Sequence, residues 1–155
     1  MKKFVFSLRA LFDVKKAQKD KLQAEYAAAE AAHRAAIRKK EELESTLSEK
    51  TQEYEEKARK GMTVADLTGY AIYLQELQEQ IRQAAIAVDR ARREAELRRN
   101  ELVAVHKEIK VLEKLYEKQY GEYLKELEKS ETKAIEDIMS YKASDHSDGS
   151  LESGG

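Results

Sequence analysis

The chain has no cysteine, no proline and no tryptophan. Without cysteine there is neither a disulfide framework nor a thiolate metal site. Without proline, nothing in the sequence forces a helix to kink or stop. Aromatic residues make up 7% of the 155 residues while 38% are charged. That leaves too little large apolar side chain for a globular core and suits a single long, thin domain. The six glycines fall at 61, 69, 121, 149, 154 and 155, so almost nothing interrupts a helix before the tail. The start, MKKFVFSLRALF, has two lysines and some apolar residues, but Ser7 and Arg9 break the run and no small-residue cleavage site follows. It reads as mature protein, neither signal peptide nor membrane span.

What is present is a repeat of seven. From Leu67 onward the series runs Leu74, Ile81, Val88, Ala95, Leu102, Ile109, Tyr116 and Tyr123, every member able to be buried. A companion series three residues later reads Tyr70, Leu77, Ala84, Ala91, Arg98, Val105, Leu112 and Gln119, with polar residues only at Arg98 and Gln119. A period of 3.5 held this long predicts a left-handed coiled coil. Arg98 on the seam is expected to weaken the central packing or to mark a contact with an acidic partner.

Upstream, Gly61 offers the left-handed conformation that ends a helix, and Thr63, three before Asp66, is a helix cap. A stop followed by a start predicts a fold back of the chain. The first helix carries a poorer seam, Leu22, Tyr26, Ala29, His33, Ala36, Lys40, Leu43, Leu47, Lys50 and Tyr54. The short loop makes the helices antiparallel, and counting outward from the turn sets Tyr54 near Ala71, Ile37 near Val88 and Leu22 near Val105. The fold class is therefore all-α, a two-stranded antiparallel coiled-coil hairpin over residues 1–143. Helix one is expected at about 6–59, the turn at about 60–63 and helix two at about 64–141. Helix two would be roughly 115 Å long against about 80 Å for helix one, at 1.5 Å per residue. Its C-terminal part, with Leu124, Leu127, Ala134, Ile135 and Ile138, should overhang, and the low-complexity tail at 144–155 is expected to be disordered.

The formal net charge of -1 conceals alternation along the chain: basic from Lys2 to Lys21, acidic from Glu41 to Glu56, then an arginine-rich centre. Such runs are the solvated faces of long helices, which favour pairing between residues i and i+4. The centre, Arg90, Arg92, Arg93, Arg98 and Arg99 with Arg34, Arg38, Lys39 and Lys40, is the best case for nucleic-acid binding. Interleaved Glu94, Glu96 and Glu101, the lack of aromatics for base stacking there and the balanced charge argue against it.

Little in the sequence points to chemistry. His33, His106 and His146 are far apart under the expected pairing, so no metal cluster results. Glu41-Glu42 and Glu55-Glu56 are consecutive on a helix and diverge by about 100 degrees, so neither pair can share a substrate proton. There is no Gly-rich phosphate loop, and two paired helices enclose no pocket that excludes water. No catalytic, cofactor or metal residue is assigned.

Three stretches, FVFSLRALFDVKKAQKDKLQ, GMTVADLTGYAIYLQELQEQI and EKSETKAIEDIMSYKAS, carry in order an F-x-F-x-L start, a Y-x-x-YL-x-x-L just past the turn and a late E-x-K-x-x-[DE]-[DE]. These are Phe4, Phe6 and Leu8; Tyr70, Tyr73, Leu74 and Leu77; and Glu131, Lys133, Glu136 and Asp137. Together they resemble the FliJ family of the bacterial flagellar type III export apparatus, over about residues 4 to 143. The resemblance implies a non-enzymatic protein, similar in shape to the central stalk of rotary ATPases. Its paired termini would enter the pore of the hexameric export ATPase FliI, which works with FliH, and its turn would face the export gate protein FlhA. Carried over by position, the gate contact falls on Tyr73 and Leu77, with Leu43, Leu47 and Tyr54 nominated on the first helix. The ring contact falls on Phe4, Phe6, Leu8, Glu131, Ile135 and Ile138. The family is also credited with handling export chaperones. The implied location is cytoplasmic, held at the inner face of the membrane through partners, with no nucleic acid and no cofactor. Two other readings stand beside this one: the stalk of a virulence-type secretion system and a generic coiled-coil scaffold.

Overall fold

The computed structural model describes residues 2–152, with side chains for residues 2–146. Two helices, α1 (Arg9–Lys60, 52 residues) and α2 (Val64–Glu152, 89 residues), pack together as a helical hairpin, and no strand occurs among the described residues. The turn is built as its residue types require. Gly61 has φ +103°, in the left-handed region where a side chain is strained, and its N–H donates to the Ala58 carbonyl at 3.4 Å. Thr63 then caps α2, its Oγ1 accepting from the Asp66 N–H at 3.2 Å. Lys57, Arg59 and Lys60 occupy the last turn of α1 and Asp66 the first turn of α2, each with the sign that the helix dipole favours.

Two compact units are distinguished. One is Ala17–His106, which contains the turn; the other joins the segment ending at Lys16 to the segment beginning at Lys107. In the first, Leu22, Leu77, Ala84, Ala95 and Val105 are buried, and the remaining α1 seam residues from Tyr26 to Tyr54 are half-buried. Both α2 series thus face α1, as a sustained seven-residue spacing dictates. Alanine at 84 and 95 is small, so the seam buries little volume per turn and leaves an apolar furrow beside Ala36, Leu43, Ala84 and Ala87. The antiparallel register shows in Tyr54 against Tyr70, with ring centroids 5.7 Å apart, and in Arg98 against Glu25. Leu67, the first member of its series, is exposed: the last turn of α1 offers it Lys57, Arg59 and Lys60 but no large apolar side chain.

In the second unit Phe6, Ile109 and Leu112 are buried, and Lys15 Nζ lies 2.6 Å from Glu108 Oε2. α1 begins at Arg9 and not near Phe6. The residues before it form a non-helical arm, closed onto the helix by the Arg9 N–H donating to the Phe6 carbonyl at 3.1 Å. α2 does not stop near 141 but continues to Glu152, into the stretch expected to be a disordered tail. A helix already nucleated adds residues at small cost, and nothing from Ser144 onward is a proline, so poor formers such as Asp145 extend it. Residues 153–155 of that expected tail lie outside the described residues.

Candidate interaction surfaces

Near the turn, polar and aromatic side chains form one network. Lys57 Nζ donates to the Tyr70 hydroxyl at 2.7 Å and lies 5.3 Å from the centre of its ring. Glu53 accepts from Lys50 at 3.1 Å and pairs with Lys57 at 3.3 Å. The hydrogen bond from Lys50 and the bond from Lys57 hold the Glu53 carboxyl below its usual range. The bond to Glu53 raises Lys50, and the Tyr70 hydroxyl, followed by Glu53, raises Lys57.

Of the residues nominated for a gate contact, Tyr73 is the one on the surface, 39% exposed beside a shallow furrow of Ala65, Asp66, Gly69 and Tyr70. Leu77 is 5% exposed and belongs to the seam, because its seven-residue series faces α1. Leu43, Leu47 and Tyr54 are half-buried on the opposite side of that seam. Val64 and Ile72 are exposed apolar residues of the same turns that lie outside both seven-residue series, and Leu67, placed on the seam by its spacing, is exposed with them.

Much of the arginine-rich centre is paired with its own carboxylates. Arg92 reaches Asp89 at 2.8 Å and Glu96 at 2.7 Å, Arg93 reaches the other Asp89 oxygen at 3.0 Å, and Arg34 reaches Glu30 at 3.6 Å. Arg98, on the seam, meets Glu94 at 2.9 Å, Glu101 at 3.3 Å and Glu25 of α1 at 3.3 Å. The hydrogen bond to Arg92 lowers the Asp89 carboxyl, and Glu94 foremost raises Arg98. Guanidinium groups occupied in this way are less available to phosphate, and the seam arginine is supplied with partners on both helices.

In the second unit the arm lies along α2. The Phe4 ring is 5.5 Å from Tyr116, 5.2 Å from Tyr120 and 5.4 Å from Tyr123, and Phe6 is 5.4 Å from Tyr116 and 6.4 Å from Phe12. Ser7 and Gln119 exchange hydrogen bonds: the hydroxyl donates to Oε1 at 3.2 Å, and Nε2 donates to the hydroxyl oxygen at 3.0 Å. Phe6, nominated as a ring contact, is therefore 5% exposed, and Phe4 and Leu8 are half-buried. Tyr120 is in neither seven-residue series; its place with Tyr116 and Tyr123 in steps of four and three was the signal of a second aromatic face.

Beyond Leu127, every residue from 128 to 146 is exposed. There Ile135 and Ile138, 58% and 57% exposed, continue a side of α2 that begins with Leu124 and Leu127 and carries Glu131 at its middle. The nominated Glu131, Ile135 and Ile138 therefore lie together on one uncovered side.

A family model described as flagellar FliJ protein matches residues 4–147. The chain belongs to the FliJ family. This family is associated with flagellar protein export. Comparison with curated proteins and with solved structures returns no match. The FliJ match opens at Phe4, the first ring of the arm, and takes in the turn, both aromatic sites and the uncovered side of α2. Among the described residues no group of His, Asp and Glu is arranged to hold a metal ion, and no helix is long and apolar enough to cross a membrane.

Proposed function

We propose that this chain is a non-enzymatic stalk and adaptor of the flagellar export apparatus. One end of its hairpin engages the pore of the hexameric export ATPase FliI, which works with FliH, and the turn engages the export gate protein FlhA. The observation that carries the reading is the uncovered side of α2, where Leu124, Ile135 and Ile138 stay exposed around Glu131 in a FliJ-family chain. A soluble helix seldom keeps such a side unless something covers it. Glu131 at its centre disfavours pairing with a second copy, which would bring two carboxylates together, and favours a partner that presents a cation.

Hydrolysis is then the partner's chemistry, and this chain acts by binding some ring states better than others. The gate contact is built on Tyr73, with Tyr54, Leu43, Leu47 and Leu77 supporting it from the seam. Export chaperones are further partners, and the chain works on the cytoplasmic side, held at the membrane through its partners. The test is stimulation of the purified export ATPase. Ile135→Asp with Ile138→Asp should abolish stimulation while circular dichroism still reports the helices. Undiminished stimulation would remove the ring contact from α2.

A further inference from the structure

α1 begins at Arg9, yet the seam does not end there: the arm before it carries the cover onward along α2 to Tyr123 in a different conformation. Its attachment is sparse. The Phe4 and Phe6 rings and the Ser7–Gln119 pair hold it, Val5 points outward at 78% exposed, and no ion pair ties residues 2–8 to α2 among the described residues. Phe6 is the one buried residue of 2–8, and a segment outside the helices, without their backbone ladder, opens at lower cost than the helices beneath it. The face it covers, Tyr116, Tyr120 and Tyr123, runs directly into Leu124 and Leu127, the start of the uncovered side of α2.

We infer that residues 2–8 are a latch: closed, their two phenylalanines occupy the tyrosine face of α2, and open, they free that face to join the uncovered apolar side as one docking surface. This deepens the ring-binding reading above and rests on it. The arm and the ring partner compete for Tyr116, Tyr120 and Tyr123, so the partner's apparent affinity scales with the fraction of chains whose latch is open. Phe4 and Phe6 thereby act on ring binding without being the contact themselves.

The chain's lack of cysteine allows a clean test. Ser7→Cys with Gln119→Cys places the only two thiols on either side of the latch, to be bridged by a short thiol-reactive crosslinker, and the unbridged protein is its own control. Bridging should lower stimulation of the export ATPase by at least about tenfold, as expected when the competent state is removed. Equal stimulation by bridged and unbridged chains overturns the latch. If neither the unbridged nor the unaltered chain stimulates the ATPase, the functional reading fails, and the latch is then decided on the chain alone. Phe4→Trp introduces the sole tryptophan, whose emission should shift to the red at lower urea than the helical signal is lost, with bridging abolishing that early step. A single coincident transition in the unbridged chain overturns the latch.

Discussion

Arg98 Nη1 on the seam of α2 lies 3.3 Å from Glu25 Oε2 on α1. A charge at a seam position specifies which residues face one another at some cost in stability, and this one is accompanied by Glu94 and Glu101 on its own helix. Both partners of the cross-helix pair keep about a third of their side-chain surface in solvent, so screening discounts the pair. Glu25→Leu should therefore cost no more than about 1 kcal/mol. Arg98→Leu should leave thermal stability unchanged or raise it, because a leucine fills the seam without desolvating an ion. A loss of several kcal/mol in thermal unfolding of Arg98→Leu would show that the ion cluster is a main support of the seam.

Stability should form a broad plateau in pH with an edge on either side. Glu53 and Asp89 have carboxyls lowered by their cationic partners, so their contribution is complete above the ordinary carboxylate range and lost as pH falls through the lowered values. Lys50 and Lys57 are raised above 10.5, so theirs is complete below that value and lost as pH rises through the raised ones. Melting temperature measured across pH should fall at both edges, with the acid edge softened in Asp89→Asn. An acid edge of unchanged steepness would mean that Asp89 contributes nothing there.

At the turn, Gly61→Ala should destabilise the hairpin by about 1 to 2 kcal/mol, since an L side chain is strained at φ +103° whatever space surrounds it. No heavy atom lies within 4 Å of an added Cβ, so the effect isolates backbone strain. Urea unfolding at constant m-value checks it; a change below a few tenths of a kcal/mol would mean that the turn relaxes to another conformation.

Tyr73 and Leu77 are one turn apart and should behave oppositely. Leu77→Ala should cost roughly 2 to 3 kcal/mol, as for a buried leucine in a core two helices thick. Tyr73→Ala should shift stability by less than about 0.5 kcal/mol and weaken capture of the export gate protein. Equal losses of stability would make Tyr73 structural and withdraw it from the docking surface.

The seam was legible because a seven-residue period is a property of the helix itself. Leu77, Ala84, Ala95, Val105, Ile109 and Leu112 are buried where the spacing put them, and Gly61 and Thr63 form the turn that their conformational preferences require. The arm was not legible, because a run of apolar residues beside a helix continues the helical pattern equally well. Whether Phe4 and Phe6 belong to the helix or reach past its start depends on the tyrosines at 116, 120 and 123, more than a hundred positions away. Leu77 illustrates the converse limit: a motif match nominates a residue without saying which way it faces, and burial decides that.

The stretch of α2 from 128 to 146, exposed throughout, has no buried side chain to support its helical form. Isolated helices of that length are marginal in water and lose structure gradually with temperature. This part of the chain is consequently a thermal spring: warming draws it toward coil well before the packed seam gives way, and any partner that seizes it must first supply the order. Its grip will weaken with heat more steeply than its contact area alone would suggest, because the conformational entropy surrendered on docking grows with the disorder present beforehand.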